Sequence, residues 1–568
     1  MIRRVRIRRR ESRSLTDQSV HLVVARVLAG RGLERAPDYS LANLLPPTMG
    51  GLDEASSILA TAIEQNQSIM VVGDFDADGA TGTALAVRAL QAFGASRVRW
   101  LVPDRFRHGY GLSPDLVAEI EPPFPDVLVT VDQGISSVKG VAMAGERGMQ
   151  VIVTDHHLPG DELPAAEAIV NPNLTSETFP SRALAGVGVM FYLVMALRAC
   201  LRERGHFRSG REPSLAQWLD LVALGTVADL VPLDTNNRCL VFQGLERIRA
   251  RQCTPGVRAL LEIAGRNLAH ISAADLGFAA APRLNAAGRL DDMSVGIRCL
   301  LARSETEART LAAELDKLNA ERQAIQADMQ KMAEDQADEL AARIEGRLDG
   351  LCVFDPGWHQ GVVGLVAGRL MERLQRPVIA FAPAEAGSKE LKGSARSPEG
   401  VHMRDLLVDV SQANPGLVER FGGHARAAGL SLDRGDFEAF RAAFEQQLES
   451  LEFVSETVAT DGELKPDEFE VTVAEALHRA GPWGQSWPEP LFDGQFHVLE
   501  RRIVGQSHLK MRLRPSGGGP ELDAIAFRAG ELFHQELPDP LHLTYRLEVN
   551  RWRGNINIQL NVQHRVSE

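Results

Sequence analysis

The chain has 568 residues, 44% hydrophobic and 24% charged, a balance that fits several folded domains and excludes a disordered polymer. Its net charge of −13 argues against broad nonspecific binding to nucleic acid, though a local basic groove would survive it. No apolar run is long enough to span a bilayer, no apolar segment follows the N-terminal arginines as a secretory signal would need, and the five cysteines form no CxxC pair, which points to a reducing, cytoplasmic setting without structural zinc.

Residues 1–14 carry Arg3, Arg4, Arg6, Arg8, Arg9, Arg10 and Arg13, which read either as a solvated tail or as a basic arm touching nucleic acid. Residues 15–66 read as helical, with a loop at 45–47. The apolar runs 69–72, 98–102, 127–131 and 151–154 are short and β-branched, with helical segments between them. That alternation predicts a parallel sheet covered on both faces, whose ligands bind beyond the carboxyl ends of the strands.

Acids and imidazoles stand at those ends. The first run leads into Asp74, Asp76 and Asp78, the third into Asp132, and the fourth into Asp155-His156-His157. Further on, an apolar helix at 218–224 leads into a turn holding Asp229. Three like charges this close repel and would each carry a raised pKa, so a cation is expected among them. A set of oxygen ligands with one imidazole suits Mg2+ or Mn2+ better than Ca2+. Two ions about 3.5–4 Å apart would need a bridging carboxylate, and Asp132 on a central strand is the candidate. His156 is the expected ligand, since the adjacent His157 side chain diverges from it. Asp155 is expected to orient an imidazole. Asp74 is either a ligand or an anchor behind the ligands.

Residues 304–347 read as one helix, rich in strong helix formers. About forty residues at 1.5 Å each give roughly 60 Å, with too few apolar positions for a firm heptad. A rigid connector is preferred to a coiled-coil partner. From 348 a second α/β unit begins, with strands at 351–354 and 377–382. Ser394 and Arg396, beside Gly393, suit phosphate capture, and Gly422-Gly423-His424 would let backbone N–H groups approach an anion. Each is otherwise an ordinary turn. Beyond 456, alternating segments at 495–499, 509–513, 523–527, 541–548 and 556–562 predict a small barrel of the oligonucleotide-binding (OB) kind. Arg501, Arg502, Lys510, Arg512 and Arg514 give it a basic strip, with Phe496, His497, His508 and Phe527 near for stacking.

Several motifs now stand in order: Gly73-Asp74-Phe75-Asp76-Ala77-Asp78-Gly79, Arg105 with Gly109-Tyr110-Gly111-Leu112, Asp155-His156-His157, Gly225-Thr226-Val227-Ala228-Asp229, the run from Pro282 through Arg283 and Asn285 to Arg289, and Gly422-Gly423-His424. The ordered set resembles the DHH phosphoesterase superfamily, and over most of the chain its single-stranded-DNA exonuclease branch. The resemblance implies an α/β protein with two α/β domains, of DHH and DHHA1 type, joined by a long helix, plus a C-terminal OB-type barrel. Its implied divisions are a basic arm and leading helices at 1–45, the DHH domain at 46–303, the helix at 304–347, the DHHA1 domain at 348–455 and the OB domain at 456–568.

It further implies 5′→3′ hydrolysis of single-stranded DNA to 5′-mononucleotides, in recombination and repair, with Mn2+ or Mg2+ as a pair of ions. The expected metal ligands are Asp76, Asp78, Asp132, His156 and Asp229, with Asp74 as a sixth or as their anchor, and the expected catalytic groups are His157, Asp132 and Asp155. Substrate contacts fall to Arg105, Arg283, Asn285, Ser394, Arg396, Gly422, Gly423 and His424, with Arg105, Ser394 and Arg396 forming a 5′-phosphate pocket. The implied partners are single-stranded DNA, a single-strand-binding protein and a recombination helicase. No membrane partner is expected, and with no dimer signal a monomer is. A phosphodiesterase for oligonucleotides or cyclic dinucleotides would share the metal site but not need the basic barrel. An inactive DNA-binding relative would have lost acids that are all present here.

Overall fold

The computed structural model describes residues 3–11, 15, 20–207, 212–343, 349–385, 387–418, 420–449, 451, 457–505, 507–552 and 554–567, so Arg13 and the expected boundary at 455–456 lie outside the described residues. It divides into two compact units, residues 320–457 and residues 2–319 with 458–568. Among the described residues no helix is long and apolar enough to cross a membrane.

In the larger unit, the arginine-rich start forms a strand, β1 (Arg4–Arg9). Neither a tail nor a free arm is seen there, because Arg-Val-Arg-Ile alternates polar and apolar residues and buries Val5. Five parallel strands follow: β2 (Ile69–Val72), β3 (Val98–Leu101), β4 (Val127–Val131), β5 (Gln150–Thr154) and β6 (Ala168–Val170). Their order is β3-β2-β4-β5-β6, and β2 and β4 are buried at every position. The chain direction reverses across the sheet between β2 and β4, the place where a ligand crevice opens in such sheets. The helices Ala77–Ala92, Gly186–Glu203 and Leu219–Ala228 pack together on this sheet around an aliphatic core.

The predicted long helix runs from Glu305 to Arg343, about 58 Å at 1.5 Å per residue. Ser304 caps it, its Oγ accepting the Glu307 amide at 3.2 Å.

The smaller unit holds β7 (Leu351–Phe354), β8 (Val378–Pro383), β9 (Glu390–Arg396), β10 (Arg420–Gly423) and β11 (Ala427–Asp433) in the order β10-β11-β9-β8-β7. Only β7 and β8 are parallel, joined through the helix Val363–Leu374.

The C-terminal strands return to the larger unit: β12 (Thr457–Thr460), β13 (Phe492–Val504), β14 (His508–Pro515), β15 (Leu522–Ala526), β16 (Leu541–Trp552) and β17 (Asn555–Val566). Pairing runs β17-β15-β14-β13-β16, and β16 pairs back onto β17, so the five expected strands close into a barrel. Outside that ring β17 also carries β1, flanked in turn by β12. Phe496, expected as a stacking platform, is 1% exposed and belongs to the barrel core, because it shares the inward face with Phe492.

Candidate metal centre

The acids gather at the carboxyl ends of β2, β4 and β5. Just after β2 the chain turns into the helix Ala77–Ala92, and Asp76 caps it, accepting the amides of Asp78 at 2.9 Å and Gly79 at 3.0 Å. The turn is so tight that a Cβ on Gly79 would lie 2.5 Å from the Asp74 nitrogen. Asp78 is buried inside the first turn. Its carboxylate accepts the amides of Gly186 at 2.6 Å and Val187 at 2.9 Å, at the positive end of the helix Gly186–Glu203. Asn285 accepts the Ala77 amide at 2.8 Å, so it braces the acid-bearing turn.

Asp132, at the end of β4, has φ +62, a left-handed conformation that aspartate tolerates better than most side chains. A Cβ on Gly186 would lie 2.4 Å from the Asp132 Cβ, so only glycine permits this approach. After β5, Asp155 turns inward. Its Oδ1 accepts the amides of His156 at 2.7 Å and His157 at 3.0 Å and lies 2.8 Å from His157 Nδ1, while Oδ2 accepts the Ile135 amide at 2.9 Å. Asp155 is thus occupied in fixing the two histidines. Asp229 directly follows the helix Leu219–Ala228.

The ligand atoms fall into three groups, each spanning no more than 4.8 Å: Asp74, Asp76 and Asp132; Asp78, His156 and Asp229; and Asp132, His156 and His157. Asp132 and His156 each belong to two of them. His156 Nε2 lies 3.0 Å from Asp132 Oδ1 and 3.5 Å from Asp229 Oδ2. His156 Nε2 and Asp132 Oδ1 face each other without hydrogen-bond geometry, and these two atoms and Asp74 Oδ1 are buried with no other partner. Orphaned buried polar atoms are costly, and these converge.

The electrostatics agree. Burial, then the charge of Asp76, pushes Asp74 well above the carboxylate range and Asp78 up to about 7. Burial, then Asp78, does the same to Asp132, and Asp229 is raised by the same two causes. Burial drives His156 down to about 4, leaving its imidazole neutral and able to donate a lone pair. Burial opposes a charge on His157 too, but its hydrogen bond to Asp155 outweighs that and raises its pKa. Carboxylates that repel one another beside a neutral imidazole fit one or two divalent cations.

Around the cluster, the Arg105 guanidinium lies 4.1 Å from the Phe75 ring centroid, and its buried Nε has no partner. Burial lowers its pKa, with Asp74 and Asp76 pulling the other way. Tyr110 was not singled out from its motif, yet its hydroxyl donates to the Asp132 carbonyl at 3.2 Å and lies 3.0 Å from His157 Nδ1. The residue is half exposed. The only signal in the sequence was an aromatic residue held between Gly109 and Gly111. Arg283, expected to touch substrate, is engaged elsewhere: it pairs with Asp316 at 2.7 Å and donates to the Ala279 carbonyl at 2.7 Å, tying the long helix to its neighbour.

The smaller unit holds a second cluster. Ser394 and Arg396 share one face of β9, where the guanidinium donates to Ser394 Oγ at 3.1 Å and to the Ala395 carbonyl at 2.8 Å. Among the described residues no carboxylate pairs with Arg396, and burial lowers its pKa. A Cβ on Gly364 would come within 2.9 Å of Ser394 Oγ and 3.1 Å of the Arg396 guanidinium, so both lie against the first turn of the helix Val363–Leu374. Gly422, Gly429 and Ser394 are in register across β10, β11 and β9, leaving that face bare beside the serine. Gly429 had escaped notice because only register puts it there. Gly423 ends β10, and the His424 amide donates to the Ala427 carbonyl at 2.8 Å.

The barrel's basic strip is largely neutralised. Lys510 pairs with Asp523 at 3.2 Å, Arg512 and Arg514 pair with Glu521 at 3.3 and 2.7 Å, and Arg501 donates to the Leu532 and Gln535 carbonyls. His508 and Phe527 meet edge to face at 5.2 Å, with Phe527 half exposed.

Comparison with known proteins matches residues 68–226 to the N-terminal domain of the DHH family, 329–450 to the DHHA1 domain and 460–564 to the RecJ OB domain. The single-stranded-DNA-specific exonuclease RecJ of Dickeya dadantii is 51% identical over 98% of both chains. That of Escherichia coli is 50% identical over 99% of both. The crystal structure of RecJ with Mn2+ from Thermus thermophilus superposes with a TM-score of 0.80 at 32% identity, covering all of this chain and 80% of that one. With its three domains matched in order and half its residues shared end to end with these exonucleases, the chain belongs to the RecJ family.

Proposed function

We propose that the chain is a metal-dependent exonuclease that hydrolyses single-stranded DNA from its 5′ end to 5′-mononucleotides. The observation that carries this reading is the convergence of the unpartnered Asp74, Asp132 and His156 atoms within a buried ring of acids. Asp74, Asp76, Asp78, Asp132, His156 and Asp229 would hold two Mn2+ or Mg2+ ions, with Asp132 shared between them. Such ions supply Lewis-acid charge to the non-bridging phosphate oxygens and lower the pKa of water.

The chain's own residues do the rest. The hydrogen bonds of Asp155 fix both histidines, so His156 presents Nε2 to the acids, while His157, held by Asp155 and braced by Tyr110, faces the scissile phosphate or its leaving oxygen. Arg105 adds fixed positive charge beside the acids. Ser394 and Arg396 take the terminal 5′-phosphate, for which the bare row at Gly422 and Gly429 leaves room. The C-terminal barrel holds the strand, with Phe527 and His508 as stacking surfaces. The resemblance implies a role in recombination and repair, with a single-strand-binding protein and a recombination helicase as partners; the scattered cysteines fit the cytoplasm and the lack of a dimer signal in the sequence fits a monomer.

The test is degradation of a long single strand labelled at either end, with Mn2+ or with chelator. Release of the 5′ label first, as a mononucleotide and only with metal, is expected, and Arg396→Ala should erase the preference for a 5′-phosphorylated end. Release of the 3′ label first would overturn the polarity. Hydrolysis of dinucleotides but not long strands would replace the reading with a small-substrate phosphodiesterase.

A further inference from the structure

We propose that β1 is a rigid phosphate-binding ridge for single-stranded DNA, carried by Arg4, Arg6 and Arg8. This deepens the single-strand reading above and rests on it. Along β1, Val5 and Ile7 turn inward while Arg4, Arg6 and Arg8 are exposed. Alternate residues on one face of a strand stand about 6.6 Å apart, of the order of the phosphate repeat in a stretched single strand.

The strand is not free to collapse away. It is held between β12 and β17. Arg9 grips the buried Asp493 at 2.7 Å and Glu463 at 2.6 Å, and Arg10 pairs with Asp461 at 3.3 Å. Cations fixed in this way lose little freedom when they bind.

Two further observations bear on the three. On the barrel, Lys510, Arg512, Arg514, Arg546 and Arg551 have carboxylate partners. Among the described residues, Arg4, Arg6 and Arg8 have none, a lack shared by Arg502 and Arg528 but only here repeated along one strand face. In addition, Arg4 is in register with Arg565 on β17. Arg565 is itself buried, so of this pair only Arg4 is open to an anion. The barrel carrying this strand is the part that matches the RecJ OB domain, so a row of phosphates is the fitting anion.

The experiment uses the full chain with chelator, measuring oligo-dT affinity across about 50 to 200 mM salt, where each single-strand phosphate contact adds about 0.7 to the slope of log K against log salt. The combined Arg4→Ala, Arg6→Ala, Arg8→Ala variant should lower that slope by about 2. The combined Arg→Lys variant at the same positions should keep it. An unchanged slope in the alanine variant overturns the ridge. So does an equal loss in the lysine variant, which would mean a structural role. An equal loss of duplex affinity overturns the single-strand assignment. A chain that shows the expected slopes but never hydrolyses the strand with Mn2+ would refute the exonuclease reading and leave the ridge standing.

Discussion

Two of the clusters of buried carboxylates in the larger unit are treated in opposite ways. At the barrel seam, Asp461 accepts Arg31 at 2.7 Å and Arg10 at 3.3 Å, and Asp493 meets Arg9, His542 and Thr460. Burial opposes the charge on Asp493, but His542 and Arg9 win and hold it down to about 2. In the acid ring beyond β2 and β4, burial and like charge act together, and Asp74, Asp132 and Asp229 are pushed up. At the seam the buried acids meet cations that the fold supplies, whereas in the ring they face one another, which suits a cation that comes from solution.

The largest effect expected of that contrast is on turnover. Asp132→Ala should lower the hydrolysis rate by more than about 10³-fold, the scale of losing a group that acts on transition-state charge, while oligo-dT binding and the melting temperature hold. Unfolding of this variant would erase the distinction, because the ring would then be structural. Asp461→Ala should do the opposite: it strands Arg31, whose side chain is 4% exposed, and should cost about 3–5 kcal/mol in denaturant unfolding. Asp155→Asn keeps the shape but weakens the hold on His157, and should slow turnover by about 10–100-fold in single-turnover assays.

The smallest effect is on stability against pH. A carboxylate whose folded pKa is raised contributes stability at low pH and loses it as pH rises through that value, near 7 for Asp78. The metal-free chain should therefore gain more thermal stability from Mn2+ at pH 8 than at pH 5. Asp493, depressed to about 2, has the opposite sign: its contribution is complete above about 4 and fades only as pH falls toward 2. Equal Mn2+ stabilisation at both pH values would count against the raised acids.

The parallel sheet and its ring of acids were legible because their signals are local. A four-residue apolar run such as Ile69–Val72, ending in three alternating aspartates, announces both the strand and the site at its end. Tyr110 was less visible, since its value lies in a hydroxyl that reaches His157, 47 residues on. The partner of Arg283, Asp316, was not visible because it sits on another helix. The basic strip on β14 looked free only because Glu521 and Asp523, placed across it by strand pairing, do not stand next to it in the chain.

By itself the sequence determined the periodicities, the acids and histidines at the strand ends, and the order of domains, since each depends on residues a few positions apart. Tertiary structure alone decided which of those groups would be satisfied. Whether a buried aspartate meets an arginine or other acids, and whether Arg4 lies beside Arg565, depends on chain segments that only folding brings within a few ångströms.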